Sequence, residues 1–271
     1  MNINKHLLQE ADGSQLSPNM GDPFADGEPS AIVLHYTGGA SRKSSVNHLC
    51  QPTTKASAHL VVGRDEHISQ LVPFNVVAWH AGRSRYQGRE GYNRLSIGIE
   101  IDNPGPLEKR GGQYFTAFNR ECPAEEVVEA IHRNDTSASL WHRYTDWQVE
   151  AVTAICLALM ETYPIREILG HEEIASSRKR DPGPAFPLDA LRQMLLGDDR
   201  SADGGDLPSP GRPGLVTASK LNIRNNPGQE AAIMAPPLQR GQMVEILDER
   251  DGWLKVEVHV NGWVKQDYVK R

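Results

Sequence analysis

Of the ten histidines in the chain, two stand where an open sheet presents its ligands. His35 ends the apolar run Ala31-Ile32-Val33-Leu34, just before a turn at Thr37-Gly38-Gly39, and His171 follows Ile168-Leu169-Gly170 in the same way. Open α/β sheets bind ligands at the carboxyl ends of their strands, so two imidazoles on neighbouring strand ends are candidate metal ligands. A third candidate lies in Arg178-Lys179-Arg180-Asp181-Pro182-Gly183-Pro184. Proline pushes the preceding Asp181 into an extended conformation, and residues two apart in an extended segment point the same way, so Lys179 and Asp181 face one spot. The competing reading is a solvated basic loop in which Asp181 pairs with Arg178 or Lys179. Catalytic zinc takes three protein ligands and keeps one position open, and His35, His171 and Asp181 satisfy that count. Glu100 lies on the polar face of Ser96-Ile97-Gly98-Ile99-Glu100-Ile101-Asp102, a face that must look at something.

These residues need a scaffold. Ala31 to Leu34 reads as a strand buried on both faces, and Ala58 to Val62 with His67 to Val72 as a hairpin-like pair around Gly63-Arg64-Asp65. Ser96 to Asp102 alternates, with Ile97, Ile99 and Ile101 on one face. Thr145 and Gln148 form a capping-box pair that opens a helix running to Pro164, and Pro187 opens a last helix that ends at Gly197. Strands interleaved with helices predict an α/β body with a mixed central sheet flanked by helices. The stretch from Pro104 to Trp141 has no clear period and is treated as an insertion.

In Asp198 to Gly214, 13 of 17 residues are Asp, Ser, Gly or Pro, which marks a linker. Beyond it, Met243 to Leu247, Trp253 to Val260 and the residues from Trp263 are short strand candidates separated by Asp251-Gly252 and Asn261-Gly262, and Leu254, Val256, Val258 and Val260 alternate toward one buried face. That pattern predicts a small all-β barrel. The expected organisation is an arm over residues 1–30, a catalytic domain over 31–197, a linker over 198–213 and the barrel over 214–271.

The chain has 271 residues, 38% apolar and 24% charged, which excludes fibrous and wholly disordered classes. A net charge of −6 argues against nucleic acid as partner. No apolar run approaches the roughly 20 residues a membrane span needs. Met1-Asn2-Ile3-Asn4-Lys5 is followed by no apolar stretch, so an export signal is not expected and synthesis in the cytoplasm is. Cys50, Cys122 and Cys156 are widely spaced, so neither a disulfide framework nor a cysteine zinc site is expected, and Cys156 reads as a small core residue.

Six segments, in order, carry a resemblance: Leu34-His35-Tyr36-Thr37, Ser57-Ala58-His59, Trp79-His80-Ala81-Gly82, Ser96-Ile97-Gly98-Ile99-Glu100, Gly170-His171-Glu172-Glu173-Ile174, and Arg178 through Phe186. Together they resemble the zinc N-acetylmuramoyl-L-alanine amidases of the type 2 amidase fold, relatives of the peptidoglycan recognition proteins. The resemblance implies one Zn2+ per chain on His35, His171 and Asp181, with Glu100 and Lys179 as the catalytic pair. It implies cleavage of the amide between N-acetylmuramic acid and L-alanine of peptidoglycan or a muropeptide. Trp79, His80 and Asn103 match places where that family lines its substrate cleft, although burial of Trp79 and His80 is an equal reading; His59 reads as a core group or an orienting partner. The tail, Ser219 through Gly228 with Gly252-Trp253 and Asn261-Gly262-Trp263-Val264, resembles a bacterial SH3-like domain, a module that often tethers wall hydrolases; Trp253, Trp263 and Tyr268 are its candidate aromatic groove, with Trp253 and Trp263 equally readable as core. Three alternatives stay open: a cytoplasmic amidase recycling anhydromuropeptides, a non-catalytic recognition protein, and a zinc hydrolase of another amide. Oligomeric state is not expected to be readable.

Overall fold

A computed structural model describes residues 1–12, 15–197, 212–216, 218–239 and 242–258. The chain divides into two compact units, Met1–Leu196 and Gly197–Arg271. In the first, five strands build the central sheet: β1 Ala31–Tyr36, β2 Leu60–Val62, β3 Ile68–Gln70, β4 Ser96–Ile101 and β5 Glu167–Gly170, in the order β5-β1-β4-β2-β3. β5, β1, β4 and β2 are parallel, and β3 returns antiparallel beside β2, so the sheet is mixed.

Burial explains the strand sequences. Ile97, Ile99 and Ile101 are fully buried, as are Ile32 and Leu34. Removing such a side chain from water contributes roughly 1.5–3 kcal/mol each. On the other face, Ala31, Val33 and Leu169 pack with Ala81, Tyr92 and Ile174. The register sets the site: Glu100 pairs with His35, and Gly170 pairs with Leu34, so His171 begins level with His35.

Four helices accompany the sheet: α1 Arg42–Leu49, α2 Asp146–Thr162, α3 His171–Ile174 and α4 Leu188–Leu196. Thr145 caps α2 in a capping box with Gln148, as the sequence predicts. The buried Gln148 amide also donates to the carbonyl of Asp102 at 2.9 Å, which ties the start of α2 to the end of β4. Val152, Ile155 and Leu159 give α2 its buried stripe.

Residues before β1 contribute structure to this unit. Ile3–Asn4 pairs with Leu7–Leu8, Met20–Pro23 pairs with Val76–Ala78, and the Leu8 amide donates to Gln70 Oε1 at 2.7 Å. The stretch after Pro104 forms a second, antiparallel sheet of five strands: Pro106–Arg110, Gln113–Thr116, Glu121–Cys122, Val127–Ile131 and Ala138–His142.

In the second unit, Arg212–Leu215, Met243–Arg250 and Trp253–Glu257 form an antiparallel sheet, and Lys220–Arg224 pairs with Ile233–Gln239. Asp251-Gly252 turns between its strands as expected. The predicted alternation holds only in part, since Val256 and Val258 are half-buried whereas Leu254 is 48% exposed. Of the expected linker over 198–213, residues 198–211 lie outside the described residues, as do Val260, Asn261-Gly262, Trp263 and Tyr268, whereas Arg212 and Pro213 open a strand and belong to the sheet. Among the described residues no helix is long and apolar enough to cross a membrane.

Candidate active site and metal centre

Because β1 and β5 end side by side, His35 and His171 meet, and the loop after α3 brings Asp181 to them. His35 Nδ1, His171 Nδ1 and Asp181 Oδ2 form a triangle with every edge 2.9 Å. All three side chains are buried. The outer nitrogen of His171 lies 3.2 Å from the carbonyl of Ala81. A carbonyl only accepts, so this Nε2 carries the proton and leaves the Nδ1 lone pair facing the triangle. Two imidazole lone pairs and a carboxylate oxygen turned on one point are a donor set for a divalent cation.

The charges agree with that use. Burial by itself would raise the Asp181 pKa, but the adjoining imidazoles of His171 and His35 outweigh it and hold the carboxyl below the usual range. Burial, reinforced by the neighbouring His171, pushes His35 down to about 4, which keeps it uncharged at neutral pH.

Glu100, level with His35, has a buried Oε2 with no hydrogen-bond partner among the described residues. Burial first, then the Asp181 charge, raises its pKa well above the ordinary glutamate range, while Lys179 pulls it down. Lys179 is half-buried, and its charge is felt at both Glu100 and His35. A cavity of about 300 Å³, lined in part by Thr37, Gly39, Ser45 and His48, opens beside Glu100. The geometry therefore sets a carboxylate of raised basicity between the His35, His171 and Asp181 triangle and a cleft.

The loop carrying Asp181 is fastened through Glu172, whose amide donates to the Asp181 carbonyl at 2.8 Å. Its Oε2 accepts from the Gly183 amide at 3.0 Å and lies 2.7 Å from His132 Nε2. Arg133 Nε sits 2.9 Å from the other oxygen. Glu172 and His132 carried no functional expectation: Glu172 stands inside a quoted motif, but His132 lies in the insertion, where no period exposed it.

The remaining candidates are placed apart from the triangle or behind it. His80 is buried, with Nδ1 3.0 Å from His35 Nε2. Trp79 is half-buried beside a second cavity of about 370 Å³ near Asp22 and Arg94. Asn103 is buried, its amide donating to the His142 carbonyl and its oxygen accepting from the Gly105 amide. His59 bridges backbone, accepting from the Gly98 amide at 2.9 Å and donating to the Val76 carbonyl at 2.9 Å, and burial pushes its pKa down to about 4. A second group of potential donors, Cys122, Glu126 and His142, lies in the insertion, but Glu126 there already pairs with Arg64 and His142.

Residues 25–184 match the family model Amidase_2, described as N-acetylmuramoyl-L-alanine amidase. The chain belongs to the Amidase_2 family. Residues 217–270 match the model of a bacterial SH3 domain. This Amidase_2 chain is 38% identical over 143 residues to the 1,6-anhydro-N-acetylmuramyl-L-alanine amidase AmpD of Escherichia coli K12, covering 52% of this chain and 59% of that protein. It is 30% identical over 200 residues to the N-acetylmuramoyl-L-alanine amidase AmiD of the same organism, covering 70% of this chain and 62% of that one. A solved complex of E. coli AmiD with anhydro-N-acetylmuramic acid-L-Ala-D-gamma-Glu-L-Lys is similar at 28% identity and a TM-score of 0.45, over 62% of this chain and 59% of that chain. The chain thus spans about three-fifths of the length of these curated Amidase_2 relatives.

Proposed function

We propose that the protein is a zinc-dependent hydrolase of the amide between N-acetylmuramic acid and the L-alanine of the stem peptide. The observation that carries this reading is the convergence of His35, His171 and Asp181, with Glu100 level with His35 on the adjacent strand. A zinc ion in such a donor set supplies Lewis acidity, which acidifies water to a pKa of about 7 and polarises a carbonyl. Glu100, whose Oε2 has no hydrogen-bond partner among the described residues, accepts the proton of the attacking water and returns it to the nitrogen that leaves with L-alanine. Lys179, whose ammonium charge reaches Glu100, donates to the oxyanion that develops at the scissile carbonyl. The tail tethers the enzyme to wall, raising its effective concentration at an insoluble substrate.

A second reading, a soluble anhydromuropeptide substrate, is favoured by the 38% identity to a 1,6-anhydro-N-acetylmuramyl-L-alanine amidase. The deciding experiment incubates the full chain with whole sacculi and with soluble anhydromuropeptides, with and without a chelator, and weighs the products. Free stem peptides from sacculi, abolished by chelation, establish wall hydrolysis. Activity on the soluble compounds alone establishes recycling, and binding without cleavage in zinc-loaded protein refutes both.

A further inference from the structure

The two imidazoles of the metal centre are gripped from behind by consecutive residues of one segment. The outer nitrogen of His171 bonds to the carbonyl of Ala81, and that of His35 lies 3.0 Å from Nδ1 of His80. Behind His80, its Nε2 sits 3.2 Å from the carbonyl of Ser96. The proton positions follow from the end of the chain. The Ser96 carbonyl can only accept, so His80 carries its proton on Nε2 and offers the Nδ1 lone pair. His35 must then donate through Nε2, which leaves its Nδ1 lone pair on the triangle with His171 and Asp181. In the other tautomer of His35 the inner nitrogen would carry a proton and could not ligate.

The packing is built around this ring. His80 is 8% exposed and lines neither of the cavities, and its ring meets that of His35 edge-on, centroids 5.1 Å apart at 83°. A Cβ on Gly98 would stand 2.3 Å from His80 Cγ. Gly98 has no left-handed backbone to accommodate, so room for the His80 ring is what the glycine provides. The Gly98 amide meanwhile bonds His59, whose ring centroid lies 5.9 Å from that of His80.

We propose that His80 is a positioning residue rather than a substrate contact: it holds His35 in the tautomer and orientation that a metal requires, as Ala81 does for His171. The inference rests on the zinc reading above. Its test is the affinity for zinc alone, measured by chelator competition on the full-length protein, for wild type, His80→Ala, His80→Gln and Gly98→Ala, alongside KM for a soluble muropeptide at saturating zinc. Loss of an outer partner to a metal-bound histidine typically weakens binding about 10- to 100-fold. His80→Ala and Gly98→Ala are expected to fall in that range with KM unchanged, and His80→Gln, whose amide oxygen can accept from His35, to recover part of the loss. Zinc affinity equal to wild type in all three variants overturns the proposal, and a raised KM at that unchanged affinity makes His80 a substrate contact instead. Failure of wild type to bind zinc defeats the underlying metal reading, a separate outcome. Melting curves of the zinc-free variants identify any that fail to fold, and Gly98→Ala and His80→Gln then decide, since each leaves a hydrogen-bonding side chain at position 80.

Discussion

His132, just after a strand of the inserted sheet, places its Nε2 2.7 Å from Oε2 of Glu172, the residue that follows the candidate ligand His171. Both groups are buried, and His132 stacks on Trp141 at 5.6 Å. The insertion therefore braces the loop that presents Asp181. His132→Ala leaves Glu172 with a vacated buried bond while Arg133 still pairs with its other oxygen. Removing one partner of such a charged hydrogen bond costs roughly 1.5–3 kcal/mol. Chemical denaturation of zinc-free protein should show a loss of that size, together with weaker zinc retention in dialysis; an unchanged midpoint would mean the insertion is only an appendage.

Asp181→Ala and Glu100→Ala separate binding from turnover. The first removes a donor from the triangle and is expected to lose both zinc and hydrolysis. The second keeps all three donors and is expected to retain stoichiometric zinc while turnover falls about 10²- to 10⁴-fold. Elemental analysis and product release on the same preparations check the pair, and loss of zinc from Glu100→Ala would contradict the assignment.

The raised pKa of Glu100 fixes the sign of a pH effect. A carboxyl whose folded pKa lies above its unfolded value stabilises the fold fully below about 4.5 and loses that contribution as pH rises through the raised folded value. Zinc-free Glu100→Gln is therefore expected to be more stable than wild type at neutral pH and no more stable at acid pH. Chemical denaturation of both proteins at neutral and at acid pH measures the difference. Lys179→Ala should raise the Glu100 pKa further in the zinc-free protein by removing the neighbour that lowers it, which the pH dependence of its stability checks.

Deleting residues 212–271 tests the tether. Binding to sacculi, followed by sedimentation, should fall by up to about 10²-fold with unchanged kcat/KM on a soluble muropeptide. Equal sedimentation of both forms would remove the tail from wall recognition.

Much of the centre was legible because the residues carrying it sit on elements with clean periods. Ile97, Ile99 and Ile101 announce their strand by alternation, and alternation alone turns Glu100 to the opposite face. Thr145 and Gln148 announce α2 because both halves of a capping box are short-range. The inserted sheet stayed hidden because its strands bury little: Lys109, Arg110, Gln113 and Glu121 are exposed, so no apolar period appears. Its one local signal is Gly111-Gly112, both with positive φ, in the tight turn between the first two strands. The contact of His80 with His35 could not be read either, since it depends on how a loop packs behind the sheet and not on spacing along the chain.

β4 is laddered on both sides, to β1 and to β2, so the level of Glu100 relative to His35 is dictated by peptide groups and not by the side chains around it. Such a lattice works as a ruler. Surface residues and whole loops can drift without disturbing the spacing of Glu100 from the His35, His171 and Asp181 triangle, whereas one inserted or deleted residue between Ile97 and Glu100 would turn an isoleucine toward that triangle and the carboxylate to the opposite face of the sheet.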